Sequence, residues 1–275
     1  MNSVLKASHS LFLLTTLLAC GTSIRAGESG TSIKQPAEIL PLEQIVSRMV
    51  AHGQWQEQSL LGYKALRRFQ AANLRFGVAS TMDVMTVFRQ PESLESRVLK
   101  QEGPMLIRER VFDKILEAEK ESSHKKDQIE NGILPVNYNF GFVGFDQYEG
   151  RNCYRLTISP KRKSRNLLNG SVWIDAEDFA VARIQGSPSK RVNFWTVKTE
   201  IDRQYERVGK YWLTKKIDST SDLFIAGHST LSISSSYSDV QANPSIADLP
   251  ARDGSPHSSP PPPKGKKNRS NQRSQ

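Results

Sequence analysis

Apolar and polar positions alternate in short runs along most of this chain, and two stretches switch to helical spacing. Leu42, Ile45, Val46, Met49 and Val50 fall on one helical face between Pro41, suited to a first turn, and Gly53, suited to a stop. The spacing therefore predicts a helix over 41–53. Met105 to about Lys120 predicts a second helix, with Leu106, Val111, Ile115 and Leu116 as a partial apolar stripe on a strongly charged segment. Between and after these helices the period is that of strands: 61–69, 81–88 and 96–100, then 140–145, 153–159, 171–175, 179–184, 192–205, 211–218, 222–226 and 229–237. Turn signals such as Tyr148-Glu-Gly-Arg151 and Val208-Gly-Lys210 separate them. Short strands joined by hairpin-type turns at a spacing of about ten residues predict an α+β fold. The expected architecture is a curled antiparallel sheet forming an incomplete β-barrel, with helices covering its open side, over residues 41–242.

The two ends differ from this body. Lys6 and His9 precede the apolar run Ser10 to Cys20. As a helix, an apolar run of about ten residues spans only ~15 Å, about half of a bilayer's hydrocarbon, which suits a cleaved secretory signal over residues 1–26 better than a membrane anchor. Two cleavage points remain open. Leu17-Leu-Ala-Cys20-Gly21 resembles a lipobox, in which Cys20 carries the lipid, and Ile24-Arg-Ala26 suits an ordinary signal-peptidase cut. Acyl chains on Cys20 would hold the protein on a membrane; cleavage after Ala26 would leave it without them. Residues 27–40 read as a tether. Residues 243–275, with Ser258-Ser-Pro-Pro-Pro-Pro263-Lys-Gly-Lys-Lys267, lack the large apolar residues needed to offset ordering entropy and read as a disordered tail.

Charge changes the picture less than its total suggests. The formal net charge is +10, but Arg252, Lys264, Lys266, Lys267, Arg269 and Arg273 against Asp248 and Asp253 put +4 in the tail, and Lys6 and Arg25 put +2 in the signal. The remaining body carries +4, the difference between these values, and no nucleic-acid groove is expected. The basic run Pro160-Lys-Arg-Lys-Ser-Arg165 reads as a solvated loop between strands or, more sharply, as a contact for anionic head groups.

The chain also lacks the groupings that carry catalysis. His9, His52, His124, His228 and His257 include no pair at metal-binding spacing, and neither a nucleophile elbow nor a phosphate-cradling glycine loop occurs. Asp175, Glu177 and Asp178 read as a turn between strands, not as a calcium loop. Cys153, in a predicted strand, reads as a small buried hydrophobe. The expectation is a protein that is not an enzyme and needs no cofactor or metal.

Three stretches carry a resemblance. Tyr154-Arg-Leu-Thr-Ile-Ser-Pro160, Gly170-Ser-Val-Trp-Ile-Asp175 and Phe179-Ala-Val-Ala-Arg183-Ile184 place an apolar-Trp-apolar-Asp strand, a short turn and an Arg-bearing strand in one hairpin, and Gly209-Lys-Tyr-Trp212-Leu follows as a further strand start. The pattern resembles the periplasmic lipoprotein-carrier superfamily, which comprises the Lol-pathway carrier LolA, its outer-membrane receptor LolB and the RseB-like sensor of envelope stress. The resemblance implies an unclosed barrel with helices across its mouth and an apolar cavity for acyl chains. The implied partner is an acyl lipid or a lipoprotein, and the implied place is the periplasm or the outer membrane after export. Membrane contact could come through a lipidated Cys20 or the basic tail. The sensor role is the alternative, with a membrane protein of the envelope as partner. Strand alternation then nominates Tyr63, Val84, Phe88, Tyr154, Leu156, Ile158, Val172, Ile174, Trp195, Val197, Trp212, Leu231 and Ile233 as the cavity lining.

Overall fold

The computed structural model describes residues 40–91, 93–121, 129–191, 194 and 196–247. The signal region, the tether to residue 39, Cys20, Trp195 and the tail beyond Ala247 lie outside the described residues.

Helix α1 spans Leu42–Ser59. Strands β1 Leu60–Asn73, β2 Val78–Arg89 and β3 Ser93–Glu102 follow as two hairpins. A helical arm comes next: α2 Met105–Ile107, a π-type turn over Arg108–Phe112, and α3 Asp113–Glu121. The rest is a meander of β4 Tyr138–Tyr148, β5 Arg151–Pro160, β6 Leu168–Asp175, β7 Val181–Pro188, β8 Thr196–Val208, β9 Tyr211–Leu223 and β10 Gly227–Ala242. All pairings are antiparallel, and the order across the sheet is β3-β2-β1-β10-β9-β8-β7-β6-β5-β4. β3 and β4 are the two edges and do not pair with each other, so the sheet is an unclosed barrel.

One face of this sheet carries both helical elements. Ile45, Val46 and Met49 of α1 pack on Tyr154, Leu156 and Ile158 of β5, Val172 and Ile174 of β6, and Ile184 of β7. Residues two apart on a strand share a face, and cross-strand partners such as Leu156 and Val172 align their side chains, so the alternation in this hairpin is converted directly into a core. The arm packs on the other half of the same face. Phe112 is fully buried among Phe69, Ala71, Met82, Val84 and Ile233, with Val111, Ile115 and Leu116 beside it. At Gly103, where the chain leaves β3 for the arm, φ is +99°, and a Cβ would lie 2.5 Å from the Ala79 carbonyl oxygen. Only glycine fits that exit.

Several boundaries differ from those expected. α1 runs through Gly53 to Ser59, because packing of Trp55 and Ser59 against the sheet outweighs the roughly 1 kcal/mol helix cost of one glycine. The stripe of the second helix holds in part. Leu106 is exposed and Ile107 and Phe112 turn inward, while Val111, Ile115 and Leu116 pack inward as the stripe predicts. The separate strand expected at 222–226 is the end of β9 plus its tip, since the polar run Thr214–Asp222 hides the continuity of β9 from an apolar pattern. Ordered chain also continues past residue 242: Trp55 Nε1 donates to the Ile246 carbonyl at 3.3 Å, and Ala247 is buried.

Candidate functional site

The helix-bearing face contains a seam where two strands part. β9 and β10 pair only between Lys216–Leu223 and Gly227–Ser234. Beyond this stretch, β9 pairs with β8 alone and β10 with β1 alone. On the β10 side the backbone of Trp212 then faces no strand. Gln56 of α1 takes the place of one: its Nε2 donates to the Trp212 carbonyl at 3.0 Å, and its Oε1 accepts from the Trp212 N–H at 2.8 Å. The Tyr237 hydroxyl donates across the opening to the Thr214 carbonyl at 2.7 Å. The Trp212 backbone and the Thr214 carbonyl, left by the parted strands, thereby keep partners.

The opening holds a cavity of about 590 Å³, walled by Leu60, Tyr63, Phe88, Leu213 and Tyr237, with Gly53, Gln56 and Tyr205 among its other boundaries. Tyr63 meets Phe88 at 5.2 Å and Tyr237 edge-on at 5.2 Å. Burial pushes both phenols up from their ordinary pKa, so they remain neutral donors. A second cavity, of about 570 Å³, lies on the other flank of α1 between Met49, Val50, Ile133, Leu134, Ile184 and Tyr205. Gly53 and Tyr205 border both cavities, and Glu57 is the one carboxylate beside each.

A charged contact holds the arm over the sheet. Arg67, on β1 two residues from Phe69, makes two bonds of 2.7 Å to the Glu119 carboxylate of α3. Its side chain is only 11% exposed. Burial opposes the charge, but the Glu119 hydrogen bonds and their Coulomb attraction outweigh it and raise the Arg67 pKa. Arg203 lies on the same face, paired across strands with Ile184 and Ile217, and its pKa is raised chiefly by Tyr205.

The opposite face is closed by a different device. Trp173 sits between the Arg183 and Arg155 guanidinium groups, whose carbons lie 4.9 and 5.1 Å from its ring centre, and donates to Asp146 at 2.9 Å. Trp212 stacks under Arg151 at 5.5 Å and donates to Asp178 at 2.9 Å. Asp175, 1% exposed, accepts from Arg151 at 2.8 Å and from the Glu177 and Asp178 N–H groups. Those bonds outweigh its burial and hold its pKa below the ordinary value. Cys153 is a buried free thiol, pushed up to about 12 by burial, and is held as a hydrophobe.

The thirteen nominated positions therefore separate. Tyr63 and Phe88 line the larger cavity. Tyr154, Leu156, Ile158, Val172 and Ile174 lie on the helix-bearing face as solid core beneath α1, and Val84, Leu231 and Ile233 as core beneath the arm. Trp212 borders the cavity with its backbone, while its indole joins Cys153 and Trp173 on the opposite face. Val197 is exposed at the start of β8, and Trp195 lies outside the described residues. Leu60, Leu213, Tyr237, Gln56 and Tyr205 were not nominated. Leu213 and Tyr237 share the alternation that pointed to Tyr63 and could have been found from it. Gln56 could not, because it follows the glycine read as the end of α1.

No protein-family model matches the sequence, and no curated protein sequence matches it. Solved structures do resemble it. A domain from Vibrio parahaemolyticus that bears the name of an outer membrane lipoprotein-sorting protein is 12% identical over 74% of this chain and 92% of its own, with a TM-score of 0.37. A LolA superfamily protein from Nitrosomonas europaea is 11% identical over 77% and 96%, with a TM-score of 0.33. The MucA/MucB complex of Pseudomonas aeruginosa gives 7% identity over 75% and 96%, with a TM-score of 0.27. The strand order, the two unpaired edges and the helices on one face make the fold an incomplete, curled antiparallel half-barrel.

Proposed function

We propose that this protein binds an acyl chain, of a lipid or of a lipoprotein, in the interior beneath its helices, and that it acts in the cell envelope as a carrier or acceptor in lipoprotein sorting. The observation that carries this reading is the cavity of about 590 Å³ where β9 and β10 part, walled by Leu60, Tyr63, Phe88, Leu213 and Tyr237. Its size falls in the range of about 300–1,000 Å³ typical of small-molecule sites. Part of its polar lining is already engaged internally, Tyr237 with Thr214 and Gln56 with Trp212, so an apolar guest leaves those groups paired. Each methylene buried contributes about 0.8 kcal/mol, so a chain of about twelve could gain on the order of 10 kcal/mol before ordering costs. Arg67 and Glu119 hold the arm shut and are the contact that entry of a longer chain would have to open.

The test is mass spectrometry of gently purified exported protein, together with uptake of a fluorescent fatty acid. Co-purified acyl lipid and saturable uptake are expected; protein that carries none and takes up none overturns the reading. Intact mass also reports whether Cys20 is acylated, which separates an anchored acceptor from a carrier starting at Gly27.

A second reading, an envelope sensor that binds a protein, is favoured by the free edge of β4, where Phe142 and Val143 are 41% and 52% exposed. An unpaired strand edge with apolar side chains accepts a further strand. Pull-down of a membrane-bound envelope protein, abolished by a proline at an outward N–H of β4, is the outcome this reading requires.

A further inference from the structure

Four turns lie at the end of the sheet where β1 and β9 finish and β8 and β10 begin, opposite the end where β9 and β10 part. The β1–β2 turn, 74–77, lies against the β9–β10 turn, 224–226: Leu74 N–H donates to the His228 carbonyl at 3.0 Å, and Arg75 Nη1 donates to the Ile225 carbonyl at 2.6 Å. Leu223, just before that second tip, pairs with Thr196 at the start of β8. The β5–β6 loop, 161–167, is fastened to the chain leaving β7: Lys190 N–H donates to the Ser164 carbonyl at 3.2 Å, and Ser189 N–H to the Leu167 carbonyl at 2.8 Å. The basic run Lys161–Arg165 and the apolar hairpin tips thus belong to one rim.

Two properties of this rim are unusual for a surface in water. Leu74, Phe76, Phe224 and Ile225 are 68%, 60%, 76% and 55% exposed, at the extreme tips of two adjacent hairpins. Isolated exposed apolar residues are ordinary, but four large ones clustered on neighbouring turns mark an interaction surface. The charge of the turns themselves is also of one sign, with Asp222 and Glu130 as the acidic residues beside them. Residues 74–77, 161–167, 189–191 and 224–226 contain seven Lys and Arg and no Asp or Glu. The body as a whole carries little net charge, so this segregation is local.

We propose that this rim docks the protein onto an anionic phospholipid bilayer. The apolar tips would enter the interface between head groups and acyl chains, while Lys163, Lys190 and Arg191 meet lipid phosphates. Charge complementarity selects this occupant: cations of one sign flanking short apolar tips fit a continuous negative surface with an apolar layer beneath it. The arrangement is independent of what the cavity holds. It leaves the cavity mouth at the other end of the sheet, turned away from the bilayer, where a lipoprotein or a partner can reach it.

The exported protein with Cys20→Ser, so that no attached acyl chain contributes, is sedimented with vesicles of phosphatidylcholine and with vesicles containing phosphatidylglycerol. Binding to the anionic vesicles is expected, weakening steeply with salt. The double variant Phe76→Ser/Phe224→Ser is expected to bind them about tenfold or more weakly. Lys163→Gln/Lys190→Gln is expected to lose several-fold of the preference for the anionic lipid. All four side chains are solvent-exposed, so both variants should keep wild-type thermal midpoints and fatty-acid uptake. A polarity-sensitive label on Phe224→Cys should shift to the blue on anionic vesicles only; Cys153 is buried and will not compete for it. Rim variants that bind like wild type, a label that does not shift, or tips that instead mediate a dimer of the chain overturn the proposal. Vesicle binding without fatty-acid uptake would leave the rim standing and remove the cavity reading.

Discussion

The two halves of the helix-bearing face use one strand geometry for different ends. Under α1, β5, β6 and β7 present Leu156, Ile158, Val172 and Ile174, all fully buried, in a continuous layer. Toward the arm and the β9–β10 seam, the same face carries Arg67, Arg203, Tyr63 and Tyr237, and two strands part around a cavity. The difference lies in what the inward positions hold. Branched aliphatics at alternate positions fill space without polar atoms to satisfy, so strands and helix close on one another. Tyrosines and arginines need partners, and finding them in Glu119, Thr214 and each other keeps the layers apart. The dense layer of β5 and β6 thus supports α1 between two hollow flanks, one at Met49 and Ile184 and the other at the seam.

That contrast is most directly broken by matched truncations. Leu156→Ala, in the solid half, should cost about 2–5 kcal/mol in urea denaturation, because the dense surroundings relax little around the void. Leu213→Ala, beside the existing cavity, should cost about 2 kcal/mol or less, since its neighbours already face open space. Equal losses would mean that the seam is as tightly packed in solution as the core and that the cavity is not held open.

The next largest effect tests the closing of the opposite face. Arg151→Met leaves the carboxylate of Asp175, 1% exposed, with its backbone donors alone. A buried pair broken on one side costs about 3–5 kcal/mol, and the 30% exposure of Arg151 lowers the expectation to about 2–3 kcal/mol. The pH dependence has a definite sign. The folded pKa of Asp175 is depressed, so its contribution is present above the unfolded value near 3.8 and is lost as pH falls through the lower folded value. Acid titration of stability below about pH 4 should be shallower in Arg151→Met than in the wild type.

Glu119→Gln separates the hollow half from the solid one. It removes the charge from the contact between arm and sheet and leaves Arg67, 11% exposed, with a neutral acceptor. A global loss of about 1–2 kcal/mol is expected. The more telling result is local: amide exchange across 105–121 should rise, exchange in β5–β7 should not, and fatty-acid uptake should speed up several-fold. Uniform exchange changes would show that the arm is part of the core and does not cover a site.

How much of this was legible beforehand follows the same division. In the solid half, apolar residues alternate without interruption from Cys153 to Ser159 and from Ser171 to Asp175, and the predicted strands and shared faces there coincide with the structure, while the residues nominated on them as cavity lining pack as core. In the hollow half, the signals conflict. Gly53 looks like a helix stop, but α1 continues and delivers Gln56 to the seam. The polar run Thr214–Asp222 conceals the length of β9. Trp212 reads as apolar and inward, but its neighbours Tyr211 and Leu213 turn to the α1 side and pack with Leu60 and Trp55, so its ring must face away. A parting of strands is set by which backbone groups find side-chain partners, and no residue pattern along one strand encodes it.

The smallest expected effect lies where α1 crosses between the halves. His52 is buried on α1, 5.4 Å from Trp55, the residue that stacks on Tyr211 at the cavity side. Burial lowers its pKa from 6.5; Asp178 and Asp175 pull it back only in part, and Arg207 adds to the lowering. The unfolded chain therefore binds a proton at His52 at a pH where the folded chain does not, so stability rises with pH through a window below 6.5 and is level above it. The thermal midpoint of the wild type should decline as pH falls below about 6.5, and His52→Gln should remove that decline while leaving the acid limb governed by Asp175. If the decline persists in His52→Gln, the group that titrates there is another one, and α1 is not the pH-sensitive boundary between the two halves.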